Sequence, residues 1–201
     1  TNVEKKAWES AVYDAVMRAT TEISDDVRSL LERSLQKETN PTAQSMLRSM
    51  LDNLDIAKKL DKGVCQSPGY PTSWVTFGDQ NFPNGIESVI MQALADATAK
   101  GYLRPSMVDP LTRVNSGNNT GAGVPNVEYS YAPGQNYLDF IISFKGCGAE
   151  LGNAVQILTP AKLGPNLVGL KRFIIETAIN AGGKPCPPYG IGIGIGGQMD
   201  I

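Results

Sequence analysis

Apolar residues recur every three or four positions in the first part of the chain, which is the spacing of one helix face. In the first stretch these positions are Trp8, Val12, Ala15, Val16 and Ala19. Ser24, ahead of two aspartates, predicts the start of a second helix, and the Asn40-Pro41 pair predicts the start of a third. Gly63 predicts the end of that helix. Residues 1–62 are therefore expected to form a helical N-terminal part.

From Gly63 onward the pattern mixes strand and helix spacing, and the glycines and prolines cluster. The predicted elements are a strand at 73–78, a helix at 86–100, a hairpin at 127–144, a helix at 165–181 and a glycine-rich strand at 190–197. We therefore expect an α+β fold, in which the N-terminal helical bundle packs on a mixed α/β region, residues 63–201. The two parts are expected to form one integrated domain. Because the chain ends just after a glycine-rich strand, we expect a C-terminal segment to be missing, cleaved or supplied by another chain.

The composition of the chain excludes several classes of function. The chain has 201 residues and no histidine, which excludes a Ser-His-Asp triad and a histidine general base within it. A net charge of −2 gives no basic surface for nucleic acid. No apolar run is long enough to span a bilayer, and no apolar signal core opens the chain. We therefore expect a cytoplasmic protein that binds neither nucleic acid nor a membrane.

The three cysteines all lie in predicted loops, two of them directly beside glycine or proline and the first of them two residues after Gly63. They are Cys65, Cys147 and Cys186. An odd number argues against a secreted disulfide framework. One interpretation treats each cysteine as a small buried apolar residue. The other notes that loops expose thiols, which suits a thiolate-ligated metal or an iron–sulfur cluster. A structural zinc site is a weaker alternative, because three cysteines without histidine leave its usual four-ligand set short.

A long loop at 102–125 carries arginines, amides and glycines without any periodicity. Arg104, Arg113 and Asn115 are candidates for binding small carboxylates, because guanidinium groups hold carboxylates through two parallel hydrogen bonds. The competing interpretation is structural: Asp109 caps a turn and pairs with Arg113. Spacing alone does not separate the two.

The motifs, taken together and in order, resemble one family. They are the Cys-Gln pair at 65–66, the stretch VDPLTRVNSGNNTG, the KGCG turn after a buried strand, and KPCPP leading into GIGIGIGG. This set is similar to the alpha-type catalytic part of the iron–sulfur hydro-lyases, class I fumarate hydratase and L(+)-tartrate dehydratase. The resemblance covers most of the chain.

The resemblance implies a [4Fe-4S] cluster held by three cysteines, with an open iron that acts as a Lewis acid on the substrate's hydroxyl group. It places Cys65 and Cys186 at cluster-ligand positions. It places Gln66 and Arg104 at substrate-binding positions, and Gly148 at a turn that contacts the substrate. In the family the third ligand follows the glycine-rich strand, so it would fall outside this sequence.

Three departures from the family pattern bear on function. Ser67 stands where the family has a catalytic aspartate, and a serine does not replace a carboxylate base without an activating partner. Cys147 stands where the family has a glycine, and a histidine usual before the hairpin is absent. Cys147 has three interpretations: a third cluster ligand, a replaced glycine beside the pocket, or a redox-sensitive thiol.

These observations lead to a functional hypothesis and a rival. The resemblance implies the alpha subunit of a [4Fe-4S]-dependent hydro-lyase that reversibly dehydrates a small hydroxy-dicarboxylate of the malate or tartrate type. It also implies a beta subunit as partner and allows a homodimer. The rival is a divergent, non-catalytic member that acts as a binding or regulatory subunit.

Overall fold

The computed structural model describes residues 2–65, 68–80 and 82–196. In chain order its helices are α1 (Asn2–Thr21), α2 (Asp25–Lys37), α3 (Pro41–Leu60), α4 (Ile86–Ala99), α5 (Cys147–Glu150), α6 (Pro160–Leu163) and α7 (Val168–Ala181). Its strands are β1 (Tyr70–Phe77), β2 (Asn126–Tyr131) and β3 (Leu138–Lys145). The predicted α+β class with a helical N-terminal region is confirmed. No helix within the described ranges is long and apolar enough to cross a bilayer.

The predicted N-terminal helices are confirmed, and their ends follow from capping. Asn40 accepts hydrogen bonds from Thr42 N and Ala43 N at 2.9 and 3.2 Å, which satisfies two free amides at the start of α3. Ser24 precedes α2 in extended backbone but makes no side-chain cap. The predicted helix at 165–181 begins later than expected. Pro165–Leu167 forms a 3-10 turn, and α7 starts at Val168.

The predicted hairpin at 127–144 is wrong. β2 and β3 do not pair with each other but lie on opposite sides of β1. β2 runs parallel to β1, with Val75 opposite Tyr129, and β3 runs antiparallel to it, with Val75 opposite Phe140. The reason is burial: β1 is the most buried of the three strands, with Pro71, Ser73 and Val75 enclosed, so it lies in the sheet centre and pairs on both sides.

The predicted glycine-rich strand at 190–197 is also wrong across 190–196, where the chain adopts no strand; Gly197 lies outside the described residues. Its three isoleucines are exposed by 53–71%. Alternation of glycine and isoleucine favours extended backbone, but a strand also needs a hydrogen-bonding neighbour, and within the described part of the chain this segment pairs with none.

The internal contacts divide the chain into two compact units, Thr1–Gly146 and Cys147–Ile201. The first unit has its core between α1, α4 and one face of the sheet, centred on Val16, Val75, Ile90 and Leu94. α2 packs on α3 as a helical pair. In the second unit α7 packs on α6. The earlier division into parts 1–62 and 63–201 stays a prediction.

Candidate functional site

In the second unit, the glycine turn that follows β3 lies directly against a candidate ligand. A Cβ built on Gly148 would lie 2.6 Å from Cys186 Sγ and 3.6 Å from Cys186 N. Any side chain at this position would therefore displace the thiol. Cys186 is exposed, whereas the preceding Pro185 is buried and anchors the segment. The sequence motifs KGCG and KPCPP thus meet at this one contact.

In the first unit, Gly69, which precedes β1, lies against the end of β3. Gly69 has φ +96°, and a Cβ there would overlap the Lys145 carbonyl oxygen and the Gly146 backbone. Only glycine combines this left-handed backbone with so close an approach. Cys65 itself is exposed. The candidates Gln66 and Ser67 lie outside the described residues.

An iron–sulfur cluster needs several thiolates in one place, which makes the loop cysteines its candidate ligands. Cysteine thiolates are the usual ligands of iron–sulfur clusters, and Cys65 and Cys186 both present exposed thiols in loops. Cys147 opens α5, but its side chain lies outside the description. Among the described side chains, no three from Cys, Asp and Glu come together as a metal-binding group. The described residues therefore offer two thiols of the right chemistry, one in each unit.

The long loop is organised around one buried side chain, Asn119, which is 8% exposed. Its Oδ1 accepts hydrogen bonds from Ser106 N and Met107 N at 3.1 and 3.2 Å. Its Nδ2 donates to Thr98 Oγ1 at 3.0 Å and to the Arg104 carbonyl at 2.9 Å. These four hydrogen bonds of one amide connect the two sides of the loop to each other and to α4. Asn119 is thus a positioning residue for the backbone of Arg104.

A second group of hydrogen bonds, centred on Asp109, fixes the tip of the loop. Asp109 accepts hydrogen bonds from Leu111 N at 3.0 Å, Thr112 N at 2.7 Å and the Thr112 hydroxyl at 2.9 Å. These bonds, the Thr112 amide first, hold the pKa of Asp109 below its usual value. The structural interpretation of Asp109 is therefore confirmed for the turn. It is wrong for the ion pair, because Arg113 meets Asp109 only through its backbone N–H, at 2.9 Å from the Asp109 carbonyl oxygen.

The loop leaves its two guanidinium groups facing outward. Arg104 and Arg113 are exposed, and neither forms an ion pair with any described residue. Arg113 also has φ +61°, a left-handed conformation fixed by the Asp109 turn. Asn115 is used differently: its Nδ2 donates to the Pro105 carbonyl and its Oδ1 accepts from Gly117 N. Its amide keeps one N–H for a ligand.

Sequence reasoning did not single out Asn119 as the central residue of the loop. Its signal was faint, because an asparagine in a loop rich in glycine and asparagine is ordinary. The relevant property is its φ of +58°, which asparagine tolerates better than most residues. Only the three-dimensional structure shows that this backbone conformation aims the amide inward.

Comparison with known proteins identifies a matching family and several similar proteins. The family model described as fumarate hydratase (Fumerase) matches residues 9–201. A protein of Methanocaldococcus jannaschii, provisionally named L(+)-tartrate dehydratase subunit alpha, is 33% identical over 94% of this chain and 67% of its own length. The L(+)-tartrate dehydratase subunit alpha of Escherichia coli is 29% identical over 90% of this chain. A protein of Geobacillus stearothermophilus, provisionally named class I fumarate hydratase, is 33% identical over 96% of this chain.

The coverage of these relatives is uneven. This chain spans 59% of the Escherichia coli subunit and 38% of the Geobacillus protein. The family-model match nevertheless includes every candidate motif, from the Cys-Gln pair to the glycine-rich segment. The chain therefore belongs to the fumarate hydratase (Fumerase) family.

Proposed function

We propose that this chain is the alpha subunit of an iron–sulfur-dependent hydro-lyase that reversibly dehydrates a small hydroxy-dicarboxylate of the malate or tartrate type. The observation that carries the proposal is the contact between Gly148 and the exposed thiol of Cys186, in a chain that belongs to the family. A thiol that faces outward beside a bare glycine turn leaves room for an inorganic ligand on the sulfur.

Cys65 and Cys186 are the proposed ligands of a [4Fe-4S] cluster. When bound, such a cluster supplies a Lewis-acidic iron that polarises the leaving hydroxyl group. The protein's own contribution is to position the two thiols. Gly148 lies against the thiol of Cys186, and Gly69, four residues after Cys65, lies against the end of β3.

Binding of the dicarboxylate is proposed for the long loop. Arg104 and Arg113 carry exposed guanidinium groups that make no ion pair with a described side chain, and guanidinium groups bind carboxylates through paired hydrogen bonds. The remaining N–H of Asn115 and the turn at Gly148 belong to the same proposed set, together with Gln66. Asn119 orients this loop but has no spare hydrogen-bonding group for the substrate.

Dehydration also requires a base that removes a proton from a carbon atom of the substrate. Ser67 occupies the position of the family's aspartate. A hydroxyl group removes a carbon-bound proton only when another group accepts its own proton. We therefore propose that the base comes from the partner subunit or from a substitute side chain. The relatives named subunit alpha support the existence of a beta subunit.

Anaerobic reconstitution tests the proposal. The chain is purified with its beta subunit, loaded with iron and sulfide, and measured by iron analysis, by EPR and by assays of fumarate hydration and tartrate dehydration. We expect a cluster signal that Cys65→Ser and Cys186→Ser remove and that Cys147→Ser retains. A cluster that forms without any hydro-lyase activity would support the non-catalytic rival, and absence of iron from the wild-type complex would refute the proposal.

A further inference from the structure

Three aromatic side chains contact the ring of Phe77 at one corner of the sheet. The ring of Phe77, at the end of β1, lies 5.3 Å from Phe82, 6.5 Å from Tyr129 and 5.7 Å from Tyr131, measured between ring centroids. The first two contacts are edge-to-face, which is the favoured geometry for aromatic pairs. These rings form one connected cluster that spans β1, the β1–α4 loop and β2.

The cluster faces outward rather than into the core. Phe82 is 67% exposed, Tyr131 58% and Tyr129 42%. Its strand β2 is an edge strand, since among the described residues it pairs only with β1. Exposed aromatic groups beside an open strand edge are costly to leave in water, and they are typical of the centres of protein interfaces.

Two carboxylates hold the rings in place. The Tyr131 hydroxyl donates to Asp79, and the Tyr129 hydroxyl donates to Glu87. Gly134 N donates to both oxygens of Asp79, at 3.2 and 3.1 Å. Desolvation raises the pKa of Tyr129, and the hydrogen bond to Asp79 raises that of Tyr131, so both phenols stay protonated donors. Each tyrosine ring is therefore fixed by a carboxylate side chain beside it.

The surroundings in sequence are acidic as well. Residues 70–99 and 114–144, which supply β1, α4, β2 and most of β3, contain no lysine and no arginine. They carry five acidic residues: Asp79, Glu87, Asp96, Glu128 and Asp139. These two segments therefore carry a net charge of −5, although the whole chain carries −2. A region of this sign attracts a cationic partner and repels a copy of itself.

We propose that Phe77, Phe82, Tyr129 and Tyr131, with Asp79 and Glu87, form an aromatic–acidic patch that docks a basic segment of the beta subunit. A lysine or arginine of that segment stacks on the rings and pairs with the carboxylates, which combines cation–π attraction with charge pairing. A second copy of this chain is the poorer occupant, because a two-fold contact through the patch would set acidic groups against acidic groups. The inference rests on the proposed function only for the existence of the beta subunit.

Affinity for the purified beta subunit is the direct test. Phe82→Ala removes the most exposed ring without touching the core, and Glu87→Gln removes one charge while keeping a hydrogen-bond acceptor for Tyr129. We expect each variant to raise the Kd about tenfold or more. We also expect high salt to weaken the wild-type complex and to weaken the Glu87→Gln complex less. Met46→Ala is the matched control, since Met46 is 62% exposed on α3, and its Kd should equal that of the wild type.

Three outcomes would overturn the docking proposal. The first is a wild-type Kd for both patch variants, and the second is the absence of any complex with the beta subunit. The third is that tetramethylammonium binds at the patch but does not change the Kd for the beta subunit. Iron content and hydration activity are measured on the same samples. A wild-type complex that forms but holds no iron refutes the proposed function and leaves the comparison of Kd values intact.

Discussion

Gly148 lies so close to Cys186 that a methyl group on its α-carbon would sit 2.6 Å from the sulfur. The next atoms of Cys186, its backbone N and its Cβ, would be 3.6 and 3.8 Å away. The overlap is therefore with the end of a side chain that can rotate, rather than with fixed backbone. This contact makes the position of the thiol, rather than the stability of the fold, depend on glycine.

Gly148→Ala is accordingly expected to move the Cys186 thiol at little cost in stability. The rate of Cys186 alkylation by a maleimide should change several-fold, while the free energy of unfolding changes by less than about 1 kcal/mol. Alkylation is measured by mass spectrometry of the peptide that contains Cys186. Gly183→Ala is the control, because a Cβ there meets nothing within 4 Å. Equal alkylation rates in all three proteins would show that the contact does not position the thiol.

Gly69→Ala is expected to behave differently, because its new Cβ would overlap backbone atoms of Lys145 and Gly146 and its φ is +96°. Backbone cannot rotate away, so we expect a loss of about 2–4 kcal/mol in the free energy of unfolding. Gly117→Ala separates the two causes. Gly117 has φ +76° but open space around it, so only the backbone strain of about 1 kcal/mol should remain. Urea denaturation measures both, and equal losses would contradict the overlap.

Asn119→Ala is expected to loosen the long loop. The substitution leaves the amides of Ser106 and Met107 and the carbonyl of Arg104 without their partner, and should cost roughly 2–4 kcal/mol. Limited proteolysis should then cut the loop faster than in the wild type. Asn118→Ala, at an exposed neighbour that bonds only Thr120 through its side chain, should show a smaller effect. The assignment fails if the two variants are cut at the same rate.

The Asp109 turn should open in acid. Hydrogen bonds from Thr112 and Leu111 favour the ionised carboxylate, so the folded pKa of Asp109 lies below its usual 3.8. The stabilisation is therefore complete above pH 3.8 and is lost as the pH falls through the lower, folded pKa. Hydrogen exchange of the Thr112 amide should speed up across that range relative to the other amides. Asp109→Asn keeps an acceptor but does not titrate, so its relative exchange should not change there.

Ser73→Ala is expected to stabilise the fold, unlike the substitutions above. Ser73 lies on the inner face of β1 with no exposed surface, and its hydroxyl has no hydrogen-bond partner among the described residues. Removing an unpaired buried hydroxyl is favourable, so Ser73→Ala should raise the free energy of unfolding by about 0.5–1 kcal/mol. Ser130→Ala, on the exposed β2, should leave it unchanged. A lower melting temperature for Ser73→Ala would mean that the hydroxyl has a partner.

The residue types of the candidate site could be predicted from the sequence, but their arrangement in space could not. The motifs identified the loops around Cys65 and Cys186 and the arginines of the long loop, because those residues carry recognisable chemistry in a recognisable order. The packing of Gly148 on Cys186 joins positions far apart in sequence. It depends on how α7 returns the chain to the turn after β3, which no local pattern encodes.

The N-terminal helices, the position of α4 and the family could be predicted from the sequence, because helix spacing, caps and motifs are local properties of the chain. The flanking of β1 by β2 and β3, in place of a hairpin, and the central role of Asn119 in the long loop follow from long-range packing. Strand order is set by which faces are buried together, and a side chain's partners by backbone brought from elsewhere. Both are long-range choices among alternatives that look the same in local sequence.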